Sequence, residues 1–170
     1  MSGGAASLAP WRWIGVPMLQ AAALTVLLAI PLRVFGLQLP EPIWAMWPVF
    51  AWAMIRPSIL APFAVLIMGL FLDAFWGGPT GLWALGLLVA YGLVLGGRSM
   101  MIGQGGPMMW AWYAAVTGIA MATCAFLSLV SEQSTPDLIP ILWQYLATIV
   151  LYPLSHRLIE RFEDADVRFR

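Results

Sequence analysis

Gly69-Leu70-Phe71-Leu72-Asp73-Ala74-Phe75-Trp76-Gly77-Gly78-Pro79-Thr80-Gly81 joins two long apolar runs through a short turn. Asp73 is the only charged residue between Pro57 and Gly97. An ionised carboxylate in apolar surroundings is costly, though less so near a membrane interface, so this one needs a polar partner or water. The runs on either side decide the fold class. Each is long enough to form a helix that crosses a bilayer at about 1.5 Å of rise per residue.

The pattern extends along the whole chain. No charged residue stands between Arg12 and Arg33, or between Arg98 and Glu132. Of the 170 residues, 62% are hydrophobic and 9% charged, more apolar surface than a soluble domain of this size can hide. The expected fold is all-α: a polytopic integral membrane protein with six transmembrane helices and no soluble domain. The spans fall at about residues 13–34, 41–55, 58–76, 80–97, 108–130 and 138–155. The second is the shortest and contains Pro48, so a tilted span or a re-entrant segment are alternatives to a short span. Residues 156–170 read as a short charged continuation of the last helix.

Arginine placement orients these spans. With the N-terminus inside, Arg12, Arg56, Arg98, Arg157, Arg161, Arg168 and Arg170 are cytoplasmic and only Arg33 is outside. That bias matches the rule that cytoplasmic loops carry the positive charge. It predicts both termini in the cytoplasm, and it would weaken if the second segment failed to cross. Trp11, Trp13, Trp76, Trp83, Trp110, Trp112 and Trp143 lie near predicted span ends, where amphipathic rings suit the headgroup region. Space-filling within the bundle is the other reading of the same rings. The first apolar run lacks a small-residue cleavage site and reads as a retained span rather than a signal sequence.

Several function classes are disfavoured. The net charge is zero and there is no basic stripe, which argues against nucleic acid as a partner. The lone Cys124 cannot form an intramolecular disulfide. No metal-binding spacing, no HExxH and no pair of intramembrane acids occurs, so no metal, cofactor or catalytic residue is predicted. The one histidine, His156, follows Ser155 directly, and adjacent helical residues point apart, so it is not placed to activate that hydroxyl.

Association is better supported. Ala21, Thr25 and Ala29 repeat every fourth residue in the first segment, Gly92 and Gly96 in the fourth, and Ala114, Gly118 and Ala122 in the fifth. Small residues at this spacing let another helix approach closely, whether inside the bundle or from a different protein. Asp73 is the sharper signal. In the last turn of its own helix a carboxylate faces the negative end of the dipole, so it is not an ordinary cap. The candidate partners are the Gly77-Gly78 amides, the Thr80 hydroxyl, the Trp83 indole and Arg33. Asp73 then either ties the turn to neighbouring helices or binds a partner or ligand directly. Gly77, Gly78 and Gly81 allow backbone angles denied to other residues and Pro79 fixes its own, so the turn is rigid.

Arg56-Pro57, then Gly69-Leu70-x-x-Asp73, then Gly77-Gly78-Pro79-x-Gly81, then Ala84-Leu85 and Tyr91, follow in an order and spacing that resembles the rod shape-determining protein MreD family. The detailed likeness covers about residues 42–95; the remaining segments match in pattern alone. The resemblance implies a non-enzymatic inner-membrane component of the bacterial machinery that guides lateral peptidoglycan synthesis. It implies as partners an MreC-like single-span membrane protein and the wider complex of MreB, RodA and a penicillin-binding transpeptidase. It further implies a fold similar to the S components of energy-coupling factor transporters, which supplies a second reading as a small-molecule-binding transport subunit. A vitamin site needs several converging polar groups, and the outer halves of these segments offer little beyond Asp73. A self-associating structural membrane protein is a third.

Overall fold

Apolar runs broken only by Gly, Pro and isolated charges fold here as successive helices. The computed structural model describes residues 11–29, 33–34, 37–38, 41–55, 58–132 and 138–167. A π-helical turn, Trp11–Gly15, leads into α1 (Val16–Leu28). A short antiparallel ladder follows, in which β1 (Arg33–Val34) pairs with β2 (Leu37–Gln38), Arg33 opposite Gln38 and Val34 opposite Leu37. Then come α2 (Met46–Ile55), α3 (Leu60–Trp76), α4 (Leu82–Met101), α5 (Gly106–Glu132), α6 (Leu138–Ile149) and α7 (Tyr152–Val167).

The shortest apolar helix is the centre of the molecule. α2 has no polar face, and a helix that is apolar all round has to be enclosed. Every α2 residue from Met46 to Met54 is buried, and Phe50 and Trp52 have no exposure at all. Pro48 falls in the first turn, where a missing N–H costs no helical hydrogen bond. The Phe50 ring meets Tyr113 of α5 edge-on at 5.2 Å and Tyr152 of α7 at 6.5 Å.

Hydrogen bonds place the two ends of α2 at opposite ends of the bundle. Glu41 accepts from the Trp76 indole at the end of α3. At the other end the Ile55 carbonyl accepts from Arg98 in the last turn of α4, and the Trp52 indole donates to the Trp13 carbonyl. Residues 41–55 therefore run from one end of the bundle to the other rather than turning back. Arg98 supplies a cation to the C-terminus of α2, where unpaired carbonyls concentrate negative charge.

The outward faces are apolar too. On α3, Leu60, Phe63, Ile67 and Leu70 are exposed at helical spacing, while Ala64, Val65, Met68 and Leu72 face inward. Phe126 on α5 and Val150 after α6 are 64% and 73% exposed. Leu82–Met101 and Gly106–Val130 are each long and apolar enough to cross a membrane.

Two segment boundaries differ from expectation. The first helix ends at Leu28, with the Ala29 N–H closing on the Thr25 carbonyl, instead of reaching residue 34. Pro31 lies just beyond, and helices usually end ahead of a proline. The last segment, expected as one helix over 138–155, is two, because Pro153 cannot donate to the Ile149 carbonyl four residues back. Other donors fill the gap: the Trp110 indole bonds Ile149 O at 3.3 Å and the Tyr113 hydroxyl bonds Thr148 O at 3.3 Å.

The break redirects the chain. Tyr152 of α7 meets Phe50, and one turn later the buried Ser155 donates to the Trp47 carbonyl at 3.0 Å. Successive turns of α7 thus meet earlier turns of α2, so α7 folds back on the bundle rather than extending away from it. Residues 156–167 belong to this helix, with His156 stacked on Tyr152 and bonded to Glu160 at 3.2 Å. Arg157 and the arginines after it are accordingly a weaker guide to sidedness than Arg12, Arg56 and Arg98.

Candidate functional site

Gly69 and Asp73 are one turn apart on the inner face of α3, and both face the start of α4. A methyl group on Gly69 would lie 2.6 Å from the Ala84 backbone nitrogen, so only glycine lets the two helices meet backbone to backbone here. Gly86 plays the same part against α5, where an added Cβ would collide with the Cys124 sulfur. The Cys124 thiol itself donates to the Leu82 carbonyl at 3.5 Å.

The close crossing brings the Asp73 carboxylate to the N-terminus of α4. One oxygen accepts the Gly81 N–H at 2.8 Å and the other accepts the Trp83 N–H at 2.7 Å. The residue is 2% exposed. Asp73 therefore caps the next helix rather than its own. At the C-terminus of α3 a carboxylate is disfavoured, but the N-terminus of α4 presents unpaired N–H donors and the positive end of a dipole. Of the partners expected from sequence, Trp83 contributes its backbone N–H instead of its indole. The Gly81 N–H was not anticipated, and neither the Gly77-Gly78 amides nor the Thr80 hydroxyl makes the bond. The Arg33 side chain, like Arg56 and Pro57, lies outside the described residues.

The turn is shaped to allow this. Gly77 ends α3 at φ 68° and Gly81 precedes α4 at φ 99°, both left-handed conformations that side chains resist. The Pro79 carbonyl accepts the Leu82 N–H at 3.2 Å. Outside the cap the Trp76 and Trp83 rings meet at 5.0 Å, with Trp76 held by Glu41. Both Asp73 oxygens face backbone donors, which makes the arrangement a clamp on the α3–α4 turn. Gly77, Gly78 and Thr80 are exposed on its far side.

The three small-residue stripes have different surroundings. On α1, Ala21 and Thr25 are buried, and the Thr25 hydroxyl donates to the Ala21 carbonyl at 2.9 Å. Ala29 follows α1 as its C-cap. On α5, Gly118 faces the Tyr145 ring of α6, and the Ala114 carbonyl accepts the Tyr145 hydroxyl at 3.1 Å, while Ala122 is exposed. On α4, Gly92 and Gly96 are exposed, and a Cβ on either would meet nothing within 4 Å among the described residues. Two stripes hold the bundle together and the third stands open.

No family model matches the chain, and neither a curated protein nor a solved structure matches it.

Proposed function

We propose that this chain is a membrane-embedded scaffold whose α4 surface receives a helix of another membrane protein. The observation that carries the reading is the open Gly92/Gly96 stripe on an apolar helix long enough to span. Small residues on such a helix lower the distance of closest approach, so dispersion and weak hydrogen bonds can act between backbones. Apolar side chains exposed around the bundle suit hydrocarbon, since a soluble surface seldom carries so much contiguous apolar area.

In this reading the six apolar segments embed in a bacterial inner membrane, with the Arg12, Arg56 and Arg98 segments cytoplasmic. Successive turns of α7 meet earlier turns of α2, so in this orientation α7 runs from the level of Phe50 toward the Glu41 end, and Arg12, Arg56 and Arg98 mark the cytoplasmic side. The resemblance to the MreD family supplies the partner class: an MreC-like single-span protein within the elongation machinery that maintains rod shape. The Asp73 clamp supports that resemblance, because Gly69, Asp73, Gly81 and Ala84 form one physical device in the order the family pattern has them. Co-purification in mild detergent with a co-expressed MreC-like protein tests the proposal. Recovery of the pair supports it, and recovery of the chain alone, folded and membrane-extracted, counts against it.

A further inference from the structure

A cleft of about 490 Å³ lies between α1, α2 and α7, walled by Ala23 and Leu24 of α1 and Leu158 of α7. Two side chains interrupt the apolar lining: Gln20, the only amide of α1, and Arg157 of α7. Both are exposed, and neither forms a hydrogen bond or ion pair among the described residues. Glu160, one turn from Arg157, is engaged with His156 at 3.2 Å instead. A guanidinium keeps its charge in any protein environment, so this one needs an anion.

The cleft stands inside the span rather than at its end. The Trp52 indole meets the Trp13 carbonyl near the Arg98 end of the bundle. Gln20 and Trp47 lie ~10 Å and ~8 Å further along their helices, at about 1.5 Å of rise per residue. In a hydrocarbon core about 30 Å thick, that is roughly a third of the way in. Ionisable side chains at such depth face a cavity or another helix and are paired there. A phospholipid phosphate stays at headgroup level, whereas a carboxylate on a spanning helix is carried to this depth.

We propose that the cleft receives a transmembrane helix of a further membrane protein, through an aspartate or glutamate part-way along that helix held by Arg157 and Gln20. The guanidinium offers donors alone and the amide N–H₂ adds two more, which suits a carboxylate and repels a cation. Ala23 keeps the α1 wall low, so the incoming backbone can come close. The proposal rests on the membrane reading above. No α4 residue lines the cleft, so it is a docking place distinct from the Gly92/Gly96 face.

Synthetic single-span peptides test it: dansyl-labelled leucine–alanine helices of about 20 residues with glutamate, leucine or arginine at the centre. Each is titrated against the full chain in phosphatidylcholine vesicles at mildly alkaline pH, with energy transfer from the chain's tryptophans reporting binding. The glutamate peptide should bind roughly tenfold tighter than the leucine peptide, the scale of one charge-assisted contact. Arg157→Gln should erase that preference, Arg157→Glu should transfer it to the arginine peptide, and Ala23→Trp should block the glutamate peptide by filling the cleft. Both sites are exposed, so these variants should keep the wild-type melting temperature. Equal affinity for the glutamate and leucine peptides overturns the proposal, as does glutamate-peptide binding unchanged in Arg157→Gln and Ala23→Trp. Loss of that binding in Gly92→Leu would move the peptide to α4 and overturn it too. Self-association of the chain that needs Arg157 and resists the glutamate peptide would give the cleft to a second copy, against the proposal. Carbonate extraction of the native membranes reads the membrane assignment separately. Release of the chain into the supernatant defeats that assignment, whereas a membrane-retained chain without preference among the peptides defeats only the cleft.

Discussion

Gly69 rests against the main chain of Ala84, so the separation of α3 and α4 is set by the absence of a side chain at one position. Replacing Gly69 with alanine gains up to about 1 kcal/mol of helix propensity. Against this, overpacking costs about 1–3 kcal/mol, and here the obstacle is backbone rather than the end of a flexible side chain. The clash should win. Gly69→Ala is expected to lower the melting temperature in detergent, and Gly69→Val to lower it further. An unchanged melting temperature for both would mean that α3 and α4 do not cross at this point.

Asp73 depends on that crossing. Its oxygens accept two backbone N–H groups, so Asp73→Asn keeps one acceptor and sets an amide N–H₂ against the other donor. Asp73→Leu leaves both donors unpaired, each costing roughly 1–3 kcal/mol. Stability should fall in the order Asp, Asn, Leu, with partner recovery falling alongside. If Asn and Leu abolish partner recovery equally while the melting temperature holds, the charge itself contacts the partner and the cap is incidental.

The helical segments, the turn between α3 and α4 and the need of Asp73 for a polar partner were legible in the sequence, because composition and glycine or proline placement act locally. The cap of α4 was not anticipated, because Asp73 was weighed only against the dipole of its own helix; which helix end a side chain reaches depends on the crossing that Gly69 permits. The break at residues 150–151 was signalled by Pro153, whose lost bond falls on Ile149. The fold-back of α7 was not signalled in this way, since it depends on contacts with Trp47 and Phe50 a hundred residues away. The differing surroundings of the three small-residue stripes were equally out of reach, as spacing alone does not reveal what a face meets.

Trp110 is expected to stabilise the α6–α7 bend. Trp110→Phe retains an aromatic ring but removes the donor to the Ile149 carbonyl that Pro153 leaves free. In a Pro153→Ala background the backbone N–H is restored and can take over that carbonyl. Trp110→Phe should therefore lower the melting temperature in the wild-type background and do so less with Pro153→Ala. Equal effects in the two backgrounds would separate Trp110 from the bend.

Sidedness is tested with single cysteines on a Cys124→Ser background. Under the proposed topology a cysteine at Ser99 labels only from the cytoplasmic side and one at Ser134 only from the periplasmic side. A third at His156, which is about half exposed, reports on α7. Periplasmic labelling there agrees with α7 running toward the Glu41 end of α2, and cytoplasmic labelling would show that α7 leaves the bundle instead. Reversed labelling at Ser99 and Ser134 would defeat the whole orientation.

The stripes give the most direct test of the scaffold. Thr25→Leu places bulk in a buried position, and Gly118→Leu drives a side chain toward a Tyr145 ring only 3.5 Å from where its Cβ would stand. Both should lower the melting temperature, because each crowds a contact inside the bundle. Gly92→Leu meets open space, so the isolated chain should melt as the wild type does. A leucine there would nevertheless hold off an approaching helix, since close backbone contact needs a small residue at the crossing. The expected result is a stable, membrane-resident protein that no longer recovers its partner. If Gly92→Leu retains the partner fully, α4 is not the docking face and the open stripe merely faces lipid.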